Sequence, residues 1–146
     1  MIKAPTIIAH RGASDTAPEN TLSAIKKALE LDVDFVEIDV RLSQDGVPVL
    51  MHDESLARIA GSENAPHVHH LSLPQLLEVD AGHWFNPKFK GEKIPTLAEV
   101  LALNWKNTGL MIEIKECPQI AEDVVAAVFE VLLKSTHDLP KLVIGS

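Results

Sequence analysis

The feature that most constrains the fold is a regular alternation between strand-like apolar runs and stretches of helical periodicity. Residues 6–9, "FVEIDV", "GLMIEIK" and "KLVIGS" are short runs rich in aliphatic residues, as is typical of strands. Between them, apolar residues recur at helical spacing from Leu22 to Leu31 and from Ile120 to Leu132. Strands that alternate with helices favour parallel pairing, with the helices covering the sheet. The sequence therefore predicts an α/β fold with a mainly parallel sheet.

A long excursion interrupts this alternation. A turn at Asp45-Gly46 leads into an extended stretch at 47–51, after which residues 54–95 combine short elements and turns. Capping boxes mark the starts of two helices, Ser72 with Gln75 and Thr96 with Glu99. We find no internal repeat and no linker, so residues 1–146 are expected to lie in a single domain. A closed eight-stranded barrel typically takes about 250 residues, and the chain stops within an apolar strand, so we expect roughly half of a barrel from a longer chain.

Charged residues share one face of two predicted strands. Glu37 and Asp39 oppose the aliphatic residues of "FVEIDV", and Glu113 and Lys115 oppose those of "LMIEIK", because strand side chains alternate between faces. An exposed antiparallel sheet is the ordinary explanation for such alternation. The helical connections instead imply a parallel sheet covered on both sides, where each ion is costly unless it is paired or bound to a metal. We therefore predict a functional site at the carboxyl ends of these strands.

Seven side chains make up the predicted site: the carboxylates Glu37, Asp39 and Glu113, the cations Arg11 and Lys115, and the imidazoles His10 and His52. The carboxylates offer only oxygen ligands, which suit Mg²⁺, Ca²⁺ or Mn²⁺ rather than zinc. The two cations suit a phosphate, the arginine through bidentate geometry. The two imidazoles exchange protons near neutral pH. Together these groups favour phosphoryl transfer.

Three other features are interpreted as structural. The "HVHH" stretch at 67–70 places two histidines on one side of an extended segment. Because no acidic or cysteine partner lies nearby in sequence, a solvated loop is favoured over a metal site. Trp105 is expected to cover the core, and Cys117, beside a proline, is expected to be a packing residue.

The net charge and composition limit which binding partners and which cellular locations are expected. A net charge of −8 disfavours nonspecific nucleic-acid binding, which needs a basic surface. The single cysteine cannot form an internal disulfide, which fits a reducing compartment. No apolar run approaches the roughly 20 residues that cross a bilayer, and the first residues lack the features of a signal peptide. We expect a cytoplasmic protein without membrane insertion, and its oligomeric state stays open.

The ordered motifs "AHRG", "PENT", "EIDVRLSQDGVPVLMHD", "IPTLAEVL" and "IEIK" resemble those of the glycerophosphodiester phosphodiesterase family, over essentially the whole chain. The resemblance implies a TIM (β/α)8 barrel, of which this chain supplies roughly the N-terminal half, with the excursion after the second strand. It also implies hydrolysis of small-molecule glycerophosphodiesters to sn-glycerol 3-phosphate and an alcohol, with a divalent cation. Two departures are visible. The family often has Arg-Thr-Thr after the second histidine, where this chain reads "ARIAG", and the later strands that would complete the barrel and supply further substrate contacts are absent, so the alcohol specificity stays open.

The resemblance also implies roles for individual residues. His10 and His52 match the general acid/base pair, Arg11 and Lys115 the phosphate contacts, and Glu37, Asp39 and Glu113 the metal ligands. Glu19 in "PENT" is expected to support the site from outside. Which histidine is the acid, and whether water or a neighbouring glycerol hydroxyl attacks, stay open.

Two alternative functions stay open as well. A phosphodiesterase of the lysophospholipase D type would use the same metal and histidines, with an apolar channel for a lipid chain. A non-catalytic, metal-stabilised binding module would need no pair of proton carriers, so the presence of both His10 and His52 disfavours it.

Overall fold

A computed structural model describes residues 4–115, 120–135 and 139–146. The described elements are, in chain order, β1 (Ile8–His10), α1 (Leu22–Glu30), β2 (Phe35–Leu42), β3 (Pro48–Leu50), α2 (Ala57–Ala60), α3 (Leu73–Leu77), α4 (Leu97–Leu101), β4 (Gly109–Ile114), α5 (Ala121–Lys134) and β5 (Leu142–Gly145). Two 3-10 turns cover Val68–His70 and Pro87–Phe89. The predicted alternation of strands and helices is confirmed. Cys117 lies outside the described residues.

The sheet is built around β2. Its parallel strands follow the order β1-β2-β4-β5, and β3 pairs antiparallel with the end of β2. Val40 pairs with Ile114 of β4 on one side and with Leu50 of β3 on the other. The chain after β3 therefore runs back along the edge of β2 that β1 occupies, toward the end of β1.

One face of the sheet packs against the helices. Val36, Ile38 and Val40 of β2 are fully buried, in one apolar cluster with residues of α1, α4, β4 and α5. Trp105 is also buried in this cluster, as predicted. Because successive strand side chains alternate, the residues between these aliphatic positions lie on the opposite face, where the predicted site residues are found.

The excursion has a small core of its own, which includes Leu56, Ile59, Val68 and Leu76. Both predicted capping boxes are present, so α3 and α4 begin where the sequence indicates. The second 3-10 turn follows Asn86, whose side chain accepts a hydrogen bond from the Lys88 amide.

Element ends differ from prediction by one or two residues. β1 is shifted toward its carboxyl end, so His10 is its last residue. Thr21 is the N-cap of α1 and accepts a hydrogen bond from the Ala24 amide. Within the described residues, no helix combines the length and apolarity needed to cross a membrane.

Candidate active site

Three carboxylates converge on the face of the sheet opposite the helices. Asp39 of β2 is in register with Glu113 of β4, and Glu37 lies two residues earlier on β2. One carboxylate oxygen from each residue lies within 4.8 Å of the others. Asp39 is 0% exposed and Glu37 is 5% exposed, whereas Glu113 is more accessible. The parallel register of β2 and β4 thus gathers three acidic groups from two strands.

Two oxygens of this cluster lack a directed hydrogen bond. Glu37 Oε1 and Asp39 Oδ1 are both buried without such a bond; Asp39 Oδ1 has an ion-pair partner in Lys115, whereas an unpaired charged atom like Glu37 Oε1 is costly to bury. Burial raises the pKa of Glu37, and the neighbouring Asp39 charge raises it further. Hard oxygen donors with unused lone pairs fit Mg²⁺, Ca²⁺ or Mn²⁺, so the donor set matches the divalent cation implied by the sequence.

The two predicted cations lie against the same carboxylates. Asp39 Oδ2 is 3.0 Å from Arg11 Nε, and Asp39 Oδ1 is 3.0 Å from Lys115 Nζ. Both contacts are close ion pairs without the alignment of a directed hydrogen bond. Lys115 also donates to Glu113. Burial lowers the pKa of Lys115, but its bonds to Glu113 and Asp39 outweigh burial and raise the pKa overall.

The loop that carries Arg11 is held in an unusual backbone conformation. Arg11 and Asn20 both have positive φ, of 60° and 55°, which costs about 1–3 kcal/mol for each residue other than glycine. The Asn20 amide donates to the Arg11 carbonyl at 3.0 Å. The Asn20 side chain donates to Asp39 Oδ2 at 2.8 Å and accepts from the Asp39 amide at 3.1 Å. Asn20 therefore joins the strained loop to the central carboxylate, a role that sequence reasoning did not assign to it.

The two predicted histidines reach the same edge of β2. His10 is in register with Glu37, and its Nε2 is 3.9 Å from Glu37 Oε2, with 64% of the side chain exposed. The Met51 amide donates to the Asp39 carbonyl at 3.1 Å, so His52 follows immediately along this edge. β1 and β3 run in opposite directions along β2, and the ends of both strands lead to the region that contains the two imidazoles.

A network of ion pairs fixes His52. Its Nδ1 is 2.8 Å from Asp53 Oδ1, and its carbonyl accepts two hydrogen bonds from the Arg41 guanidinium. Burial raises the pKa of Asp53, but hydrogen bonds from Arg58 and His52 outweigh it, so the pKa is lowered overall. With Nδ1 engaged, Nε2 is the ring nitrogen left for proton exchange.

Arg58 connects this network to the Arg11 loop. Its guanidinium is 2.7 Å from Asp53 Oδ2 and 2.6 Å from Glu19 Oε1, and the same Glu19 oxygen is 3.2 Å from Arg11 Nη1. Glu19 therefore bridges Arg58 and Arg11, and its supporting role in the site stays a prediction. Sequence reasoning gave no role to Asp53 or Arg58, although Asp53 follows His52 and Arg58 lies in the "ARIAG" stretch that departs from the family pattern.

The family model of the glycerophosphoryl diester phosphodiesterase family matches residues 10–140. A glycerophosphodiester phosphodiesterase of Caldanaerobacter subterraneus is 43% identical over 129 residues, which are 85% of this chain and 52% of that protein. The solved structure of an Oleispira antarctica phosphodiesterase in complex with the product sn-glycerol-3-phosphate has a TM-score of 0.87 and 39% identity, over 97% of this chain and 57% of that one. A glycerophosphodiester phosphodiesterase structure from Thermotoga maritima has a TM-score of 0.74 and 33% identity, over 98% and 54%.

The chain spans about half the length of the curated relatives and structures that it matches. The related structures have a TIM-barrel fold, and the parallel α/β sheet of this chain corresponds to its N-terminal half. The family match covers every one of the seven predicted site residues, from His10 to Lys115. The chain therefore belongs to the glycerophosphoryl diester phosphodiesterase family.

Proposed function

We propose that this protein is a metal-dependent phosphodiesterase that hydrolyses glycerophosphodiesters to sn-glycerol 3-phosphate and an alcohol. The observation that carries the proposal is that three carboxylates gather on one face of the sheet, while His10 and His52 both lie along the neighbouring edge of β2. The product bound to the related Oleispira antarctica enzyme supports the same substrate class.

Glu37, Asp39 and Glu113 are the residues that would hold the cation, as Mg²⁺, Ca²⁺ or Mn²⁺. When bound, such a cation neutralises phosphate charge and polarises a phosphoryl oxygen. The buried Glu37 Oε1, which has no hydrogen-bond partner, supports this assignment. The Arg11 amide donates a hydrogen bond to Glu37 Oε2 at 2.9 Å. This bond orients the Glu37 carboxylate, one of the three proposed metal ligands.

Arg11 and Lys115 are the proposed phosphate-binding residues. Both side chains are mainly buried beside Asp39 yet retain 17–18% exposure, which leaves them accessible to a substrate. Each has a second carboxylate partner, Glu19 for Arg11 and Glu113 for Lys115. The shared carboxylates hold the two positive groups in place before the phosphate arrives, which lowers the ordering cost of binding.

His10 and His52 are the proposed proton carriers. One removes a proton from the attacking hydroxyl, either water or the neighbouring glycerol hydroxyl, and the other protonates the oxygen of the departing alcohol. The hydrogen bond between His52 Nδ1 and Asp53 fixes the orientation of the ring, so that Nε2 is the transferring atom. General acid–base catalysis of this kind is typically worth about 10²- to 10⁴-fold for each group.

The proposal includes the place of the chain in the whole protein. Residues 1–146 would form the N-terminal part of a single barrel domain, and the further strands would complete the substrate pocket. The partly exposed apolar residues of the two outermost strands, Ile8 in β1 and Leu142 and Val143 in β5, support such an extension. A cytoplasmic location is supported by the single cysteine.

The test is an assay of sn-glycerol 3-phosphate release from glycerophosphocholine by the full-length protein, with and without a chelator. We expect chelator-sensitive product, with kcat lowered about 10²- to 10⁴-fold in His10→Ala and His52→Ala and unchanged in His83→Ala, a histidine on the exposed surface. Near-normal turnover in either of the first two variants would refute the histidine assignment. Product from lysophosphatidylcholine alone would indicate the lysophospholipase D alternative, and no turnover of any diester would indicate a binding module.

A further inference from the structure

A second group of metal-ligating side chains lies in the excursion. The backbone of residues 54–56 pairs with that of residues 66–68: Ser55 and His67 form an antiparallel bridge, and the Val68 amide donates to the Glu54 carbonyl at 2.9 Å. Val68 is 1% exposed and belongs to the core of the excursion. The expected solvated loop is instead a 3-10 turn fixed by a buried side chain.

This backbone pairing supplies the acidic partner that the sequence lacked near the histidines. Glu54 Oε1 is 3.2 Å from His67 Nδ1. One ligand atom from each of Glu54, His67 and His69 lies within 4.8 Å of the other two. In a tetrahedral site with metal–nitrogen and metal–oxygen bonds of about 2.0–2.2 Å, neighbouring ligand atoms lie about 3.4 Å apart. The Glu54–His67 separation is close to that length.

We infer that Glu54, His67 and His69 bind a transition-metal ion of the Zn²⁺ class, at a site separate from the carboxylates of β2 and β4. Two imidazole nitrogens with one carboxylate oxygen suit zinc, whereas an all-oxygen set suits Mg²⁺ or Ca²⁺. The side chains of His67 and Glu54 are 44% and 51% exposed, so an ion has a route from solvent. Three protein ligands leave the fourth position to water or another small ligand.

The zinc-class site lies close to the candidate active site without sharing a ligand with it. His69 lines a small cavity together with Arg41 and Lys115. Arg41 holds the carbonyl of His52, and Lys115 pairs with Asp39. A metal ion at His69 would therefore add positive charge at the border of the phosphate-binding region. The inference rests on the geometry of the excursion and holds whether or not the proposed hydrolysis is correct.

The first test is a Zn²⁺ titration of the metal-free, full-length protein by isothermal calorimetry, with Mg²⁺ in large excess. We expect one zinc-binding event to be lost, or its affinity to fall more than about 100-fold, in His67→Asn and Glu54→Gln. Replacing a residue that only supports a metal ligand already lowers metal affinity about 10- to 100-fold. His83→Asn is the matched control and should bind zinc like the parent. Equal affinity and stoichiometry in the parent, His67→Asn and Glu54→Gln would overturn the inference.

Cobalt separates this site from the carboxylate cluster. Co²⁺ should give the strong visible absorption of four-coordinate cobalt in the parent and in Glu113→Gln, and lose it in His67→Asn. Loss of the band in Glu113→Gln with retention in His67→Asn would place the ion among the carboxylates and refute the proposal. Glu54→Gln keeps the test decisive if His67→Asn does not fold, which thermal unfolding followed by circular dichroism will show.

Discussion

Arg58 is the residue whose removal tests the positioning network most sharply. Its guanidinium contacts Asp53 and Glu19 at 2.7 and 2.6 Å and lies over the Trp84 ring, 4.8 Å from the centroid. Arg58→Met keeps much of the apolar stem and removes all three polar interactions. The variant therefore separates the effect of losing the polar contacts from the effect of losing side-chain packing.

The size of the effect follows from the exposure of these contacts. The Arg58 side chain is 38% exposed. Ion pairs at exposed positions typically contribute about 0.2–1 kcal/mol each, and we expect the same of its two pairs. The contact with Trp84 adds about 0.5–1 kcal/mol. Arg58→Met should therefore lower the free energy of unfolding by about 2 kcal/mol, or Tm by about 4–8 °C for a domain of 150–250 residues. Because Asp53 then loses an anchor and His52 is less well oriented, kcat should fall by about 10- to 100-fold.

The assays are urea unfolding and steady-state hydrolysis of glycerophosphocholine. Lys134→Met is the matched control, because Lys134 forms a well-exposed ion pair with Glu130, and it should change stability by no more than about 0.5 kcal/mol. A double-mutant cycle of Arg58→Met with Asp53→Asn should give a coupling energy of at least about 0.5 kcal/mol. A stability change equal to that of the control, together with unchanged kcat, would refute the reasoning.

Three further sets of substitutions test other parts of the fold. Ile38→Ala, at a fully buried position of β2, should cost about 2–5 kcal/mol in urea unfolding and Ile38→Val about 0.5–1.5 kcal/mol; equal costs would contradict the packing described. Gly12→Ala should lower Tm more than Gly46→Ala, because both have positive φ but only at Gly12 would the added Cβ approach another residue, to 2.7 Å from Ala24; the reverse order would contradict this. Backbone hydrogen bonds lower the pKa of Asp80 below its usual 3.8, so its stabilising effect is complete above that pH and is lost as pH falls through the folded-state pKa. The Tm difference between the parent and Asp80→Ala should therefore shrink below about pH 4, and a constant difference would refute the linkage.

The framework of the site could be predicted because it depends on local periodicity. Alternation in "FVEIDV" placed Glu37 and Asp39 opposite Val36 and Ile38, and the structure has that arrangement. The helical connections indicated parallel strands, and parallel register then brought Glu113 beside Asp39. A period of two residues determines which face a side chain occupies, and this holds wherever one face must pack against helices.

Contacts made by tertiary structure could not be predicted in the same way. Asn20 has the residue type of an N-cap, and only its positive φ and its bonds to Asp39 distinguish it from Thr21, the residue that caps the helix. Glu54 and His67 are 13 residues apart, and only the antiparallel bridge between their segments brings them together. No local pattern specifies such a pairing, because turn geometry within the excursion decides it.

The most direct test of the central claim, that carboxylates from two strands bind one divalent cation, is to locate Mn²⁺ in crystals of the full-length protein by anomalous scattering. We predict a peak about 2.0–2.6 Å from oxygens of Glu37, Asp39 and Glu113, the range of metal–oxygen distances for Mg²⁺ and Ca²⁺. The peak should be weaker or missing in crystals of Glu37→Gln. A saturating Mn²⁺ soak that gives no peak among these three side chains would contradict the claim.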